Sequence, residues 1–191
     1  MLREARSLFA ERGFYGVSIA QVAAELGLTK QALLHHFGTK ERLYGLVLEQ
    51  IAGEFAEQKS ALELSDEPAM ALEEYLASMV ALTPPEIERS RVLMREILDN
   101  RIRAETAGRW YLKPFLEDLV AMLRAVPTWS NASDGEQLAA IVQMLGAINY
   151  HAVSRPTFRG IFGDAQAEAM DAAYKSQLRV LVAGVLERGP R

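Results

Sequence analysis

The chain has 191 residues, half of them apolar, 24% charged and 8% aromatic, with a mean hydropathy near zero, the profile of a globular protein with material for a real core. It has no cysteine, which excludes disulfide frameworks, thiolate metal sites and cysteine nucleophiles. The formal charge of −4 divides into +1 over residues 1–50 and −5 over residues 51–191, so the front end is the less acidic part.

Helical spacing recurs along the chain, and no stretch alternates apolar and polar residues between paired turns, so an all-α fold of about nine helices is expected. Leu2, Ala5, Leu8 and Phe9 share one helical face that stops at Gly13; Ile19, Val22, Ala23 and Leu26 share a second that stops at Gly27; Leu33 and Phe37 stop at Gly38. Ser18 with Gln21 reads as a capping box, and Thr29 and Thr39 as N-caps. A longer helix is expected from Lys40 to about Lys59, with Gly53 marking a bend or a close contact. Asp66 is expected to open a helix through Leu82. Thr83, Pro84, Pro85 and Glu86 start another that runs to about Glu105. The next covers roughly residues 107–126, with Pro114 implying a kink or a start nearer Lys113. Pro127 to Asn131 reads as a loop. Ser133 with Glu136 caps a helix over Leu138 to Val153 that is apolar nearly all round and so needs cover on two sides. A loop with Pro156, Gly160 and Gly163 leads to the last helix, where Tyr174, Leu178, Leu181 and Val185 form one face and Ala173, Val180 and Gly184 another.

The strongest functional signal lies between Ser18 and Lys40. Two short helices meet at a glycine-containing turn, Leu26 to Thr29, with Ile19, Val22, Ala23, Leu33 and Phe37 placed to lock them together, as a helix-turn-helix requires. Such a motif sends its second helix into the major groove while capped helix ends hold phosphates.

The stretch from Leu2 to Leu46, carrying Ala5, Leu8, Phe9, Gly13, Phe14, Ser18, Ile19, Val22, Ala23, Gly27, Leu28, Thr29, Lys30, Leu33, His36, Phe37, Thr39, Lys40 and Leu43, closely resembles the DNA-binding domain of TetR-family transcriptional regulators. The resemblance implies a helix-turn-helix DNA-binding domain over residues 1–46 and a helical effector-binding and dimerisation domain over 47–191. It also implies that Thr29 and Lys30 start the recognition helix, that His35 and His36 lie on its DNA side, and that Ser18 and Lys40 sit over phosphates. Leu34 stands where the family usually has tyrosine, and Ala20 where it often has arginine. Gln31 replaces a frequent glycine, and its amide matches adenine N6 and N7. The basic arm ahead of the first helix is short, and truncation is one reading of that.

Each assignment has a plainer counterpart. His35 and His36 read equally as solvated surface residues, and lying about 100° apart on a helix they do not suit a shared metal. Methionines and aromatics at helical spacing are to first order core. The sharper reading is a pocket within residues 66–126, with Met79, Met94, Trp110, Tyr111 and Phe115 as lining and Tyr75, Arg95, Asn149 and His151 as polar anchors for a small apolar or amphipathic effector. The two apolar helices at the end suit a homodimer through residues 134–155 and 165–187. The expected protein is a sequence-specific regulator, a repressor released from a palindromic duplex by its effector. The alternative is a DNA-binding structural or protein-partner module with no effector. Neither needs a cofactor or metal, and no nucleophile, metal-ligand pair or phosphate loop supports an enzyme. Nothing resembles a signal peptide or an apolar run of about 18 residues, so a cytoplasmic location without membrane attachment is expected.

Overall fold

The computed structural model describes residues 1–99 and 110–190. Among them are nine α-helices and no strand: α1 (Leu2–Arg12), α2 (Ile19–Glu25), α3 (Lys30–Phe37), α4 (Lys40–Ser60), α5 (Pro68–Ser78), α6 (Pro84–Asp99), α7 (Lys113–Ala125), α8 (Asp134–Phe162) and α9 (Asp164–Arg188), with a short 3-10 turn at Pro127–Trp129. No helix of the described residues is long and apolar enough to cross a membrane.

The helix ends follow from local chemistry. Ser18 and Ser133 both build full capping boxes, with Gln21 and Glu136 returning the hydrogen bond, and Thr39 Oγ1 accepts from the Arg42 amide at 3.1 Å. Three expectations are adjusted, and of the two readings of Pro114 the start near Lys113 is the one observed. The fifth helix is shorter than the span Asp66 to Leu82, because Glu67 is its cap and takes the Ala69 and Met70 amides. Pro114 marks the start of α7 at its second residue, where its missing N–H costs nothing. Pro156 lies inside α8 instead of in a loop, and the helix continues to Gly163, whose φ of 85° ends it. Gly53 has open space around its missing side chain, so no close contact explains it. Residues 100–109, where one expected helix ends and the next begins, lie outside the described residues.

The chain divides into two compact units. The first holds Met1–Ala56 and Glu88–Lys113, and its core is aromatic. Tyr44 receives Phe9 edge-on at 4.8 Å and Phe14 at 5.2 Å, above Val22, Leu33, Phe37, Leu43, Val47 and Ile51. A buried ion network ties three of its segments together: Arg6 of α1 pairs with Glu54 of α4 and Glu88 of α6, and Arg89 of α6 also reaches Glu54 at 3.9 Å. Arg6 and Arg89 are both buried. The facing carboxylates offset the cost of taking the two guanidinium groups out of water.

The second unit holds Glu57–Ile87 and Pro114–Arg191. Here α9 packs on α8 and α5, burying Leu72, Leu76, Leu119, Leu123, Ile141, Met144, Ile148, Leu178, Val182 and Leu186. The 3-10 turn is pinned to the end of α9, with Trp129 Nε1 donating to Val185 O at 3.2 Å and Thr128 Oγ1 to Leu186 O at 2.6 Å. One face of α8 and α9 stays uncovered: Leu138, Val142, Val180 and Leu181 are 46–68% exposed. Gly146 and Gly184 have nothing within 4 Å of where a side chain would sit.

Candidate nucleic-acid interface

The helix-turn-helix lies wholly in the first unit. Its turn is a Schellman motif: Gly27 takes φ 64°, Leu28 N donates to Ala23 O at 2.8 Å and Gly27 N to Ala24 O at 3.1 Å. Open space surrounds Gly27, so it is the left-handed backbone, not crowding, that calls for glycine. With α2 and α3 in contact, Val22, Ala23, Leu33 and Phe37 are buried. Every polar side chain of α3 is left on the other side. Lys30, Gln31, His35 and His36 are exposed, and Leu34 is half-buried between the two faces.

Two hydroxyls cap the starts of α2 and α3. Thr29 Oγ1 accepts from the Ala32 amide at 3.1 Å, and Ser18 Oγ from the Gln21 amide at 3.2 Å. Both side chains are exposed. Each hydroxyl is an acceptor to its own helix and keeps a proton to donate outward, the arrangement that suits a phosphate oxygen. The His36 ring lies at right angles to that of Phe37, with centroids 4.4 Å apart.

Lys40 is placed differently from its neighbours. Its side chain is half-buried, and Nζ donates to Phe14 O at 3.0 Å and Val17 O at 3.1 Å while lying 4.1 Å from the Phe14 ring centroid. Sequence reading missed these partners. The available signal was the pair Phe14 and Tyr15 in the loop before α2, since a cation tends to settle over aromatic faces. It also missed the ion network behind α1, although Arg6 interrupting the buried row Ala5, Phe9 and Ala10 signals a cation in need of carboxylates.

The residues expected to hold an effector are divided between the units. Met94, Trp110 and Tyr111 belong to the first; Tyr75, Met79, Phe115, Asn149 and His151 belong to the second. Tyr75, Met79, Phe115 and His151 are buried, whereas Trp110 is 46% exposed. Tyr111 lies so close to Gly45 that a side-chain carbon there would come within 2.6 Å of its ring. Asn149 spends its amide on Leu145 O of its own helix at 3.0 Å. His151 Nε2 stands 2.9 Å from Asp171 Oδ1, and its ring stacks on Tyr174 at 3.8 Å. Arg155 Nε donates to the other oxygen of Asp171 at 2.9 Å. A cavity of about 860 Å³ in the second unit is lined by other residues, among them Trp129, Gln143, Gln177, Leu181 and Gly184, on the uncovered face of α8 and α9. Among the described residues no group of three His, Asp or Glu is arranged to hold a metal.

A capped helix pair that buries one face of α3 and offers its polar face outward defines a helix-turn-helix protein. Residues 1–47 match the family described as bacterial regulatory proteins, tetR family. The chain is 31% identical over 98 residues to the HTH-type transcriptional regulator RutR of Escherichia coli, a match covering 51% of this chain and 46% of RutR, so it spans about half that relative's length. It is 23% identical to the regulator UidR of Escherichia coli over 97% of this chain and 91% of UidR. A crystal structure of a TetR-family regulator from Rhodococcus sp. shares the fold, with a TM-score of 0.67, 16% identity and coverage of 97% of this chain and 95% of that one. The match over residues 1–47 places the helix-turn-helix of this chain with that of the tetR family of bacterial regulatory proteins, and the fold of the whole chain is that of a TetR-family structure.

Proposed function

We propose that this regulator is a homodimeric repressor that reads a two-fold symmetric duplex through α3 and releases it when a small apolar or amphipathic effector binds. On this reading residues 1–46 recognise DNA, and residues 47–191 hold the effector and form the dimer through 134–155 and 165–187. The observation that carries it is the division of α3, with Leu33 and Phe37 buried, Lys30, Gln31, His35 and His36 all exposed, and the cap hydroxyls of α2 and α3 exposed as well. Phosphate contacts give such a head its affinity, and side chains at base edges give it sequence. The exposed apolar face of α8 and α9 supports self-association, because isolated monomers rarely leave so contiguous a patch uncovered. Tyr75, Met79 and Phe115 are buried, and an effector held among such side chains would carry few polar groups, since a compact charged metabolite would lose its hydration there.

Selection of duplexes from a randomised pool tests the reading. The parent is expected to enrich palindromic sites, and Gln31→Ala to relax the preference at one base step at a cost of about 1–3 kcal/mol. Recovery of unselected sequence by both proteins would remove α3 from the role of reader.

A further inference from the structure

We propose that Lys40 is a positioning residue of the DNA-reading head: its ammonium is held by the Phe14 and Val17 carbonyls and sets the place of α2 and α3 instead of meeting a phosphate. The proposal rests on the DNA-binding reading above, but its geometry is internal to the first unit. Phe14 and Val17 lie in the segment between α1 and α2, and Val17 directly precedes Ser18, the cap of α2. Lys40 is the first residue of α4, and only Gly38 and Thr39 separate it from the end of α3. One ammonium therefore joins the entry of the first helix of the motif to the exit of the second.

The bonding leaves little freedom to leave that post. Two of the three N–H donors are spent at 3.0 and 3.1 Å, and the charge rests on the Phe14 ring at 4.1 Å. Phe14 is itself buried against Tyr44, so the cation is anchored to the core and not to a mobile loop. Swinging Nζ out to a phosphate would break both carbonyl bonds and the ring contact together. Lys30, in contrast, is exposed at the first turn of α3 and serves as the reference cation.

Two measurements decide the matter. Reductive methylation of the intact free protein, read by peptide mass spectrometry, is expected to modify Lys30 readily and Lys40 far more slowly; equal rates overturn the clamp. Affinity for a mixed-sequence duplex is then followed against salt, at a temperature where circular dichroism shows each variant fully helical. Lys40→Met is expected to weaken binding about tenfold with the logarithmic salt slope unchanged, whereas loss of a phosphate contact lowers that slope by about 0.9. A lowered slope overturns the proposal in favour of a phosphate ligand; parent-like affinity overturns it in favour of a purely structural lysine. If Lys40→Met does not fold, Lys40→Arg keeps the charge but replaces the compact ammonium with a planar fork. It is expected to lose affinity at an unchanged slope, and parent-like binding by it again overturns the clamp. Failure of the parent to bind any duplex would defeat the DNA-binding reading and the DNA-positioning role that rests on it, while methylation would still judge the clamp itself.

Discussion

His151 on α8 is a buried imidazole between a carboxylate and a phenol ring, with Asp171 on Nε2 and Tyr174 stacked against it. The carboxylate selects the neutral tautomer with its proton on Nε2, so the imidazole donates to Asp171, and Nδ1 is left buried without a partner. Burial lowers the His151 pKa below its ordinary value; the hydrogen bond and charge of Asp171 oppose that, and Arg155 adds to it. Burial also raises the Tyr174 phenol. The sign for stability follows from which state binds the proton. Below about pH 6.5 the unfolded chain protonates this histidine while the folded one resists, so stability is full above that pH and declines as pH falls toward the lowered folded value. His151→Gln keeps an N–H for Asp171 and removes the titration. The variant is expected to lose roughly 1–3 kcal/mol at neutral pH, and its thermal midpoint should fall less than the parent's as the pH is lowered from about 7 to 5.5. Parallel midpoint curves would mean that His151 plays no part in the acid response.

At the scale of elements, caps carry most of what is legible in the sequence. Ser133 Oγ and the Glu136 carboxylate exchange hydrogen bonds with each other's amides, and the bonds from Ser133 hold the Glu136 pKa below the usual carboxylate range. Ser133→Ala is therefore expected to cost about 1 kcal/mol in denaturant unfolding. It should also return the Glu136 titration, followed by NMR, toward its ordinary value; an unmoved titration would show that the box is not formed in solution. Signals of this kind are local, which is why the ends of α2, α3 and α4 could be read from Ser18, Thr29, Gly38 and Thr39. Pro156 shows the limit of local reading. A proline argues for a break, yet α8 passes through it, with Phe158 and Phe162 packed one turn apart at 5.7 Å and the helix stopping at Gly163. The loss of one N–H is outweighed by contacts along the rest of a 29-residue helix. The exposed face of α3 was legible because its two buried residues are four apart. Lys40's inward turn was marked only by the aromatic pair Phe14 and Tyr15, because its hydrogen-bond partners are backbone carbonyls that leave no mark in side-chain pattern.

For the whole molecule, the proposed function requires two copies, and the uncovered face of α8 and α9 is where the proposed dimer forms. Gly184 makes that claim testable without disturbing the fold. Nothing lies within 4 Å of a side-chain carbon built there, so Gly184→Glu fits the single chain, and glutamate is a better helix former than glycine by several tenths of a kcal/mol. In a symmetric interface the same substitution brings its charge to both subunits at once and buries it among Leu138, Val142, Val180 and Leu181, at a desolvation cost of several kcal/mol. The variant should therefore keep its helix content and thermal midpoint, apart from any part of the midpoint that depends on protein concentration. Sedimentation should find the parent a dimer at micromolar concentration and Gly184→Glu a monomer. DNA binding should divide in the same way. Two half-sites read by linked heads gain affinity from effective concentration, so the parent should prefer a palindrome strongly over an isolated half-site, and the monomeric variant should bind both nearly alike. A parent that sediments as a monomer, or a Gly184→Glu protein that stays dimeric and keeps the palindrome preference, would move the dimer interface away from α8 and α9.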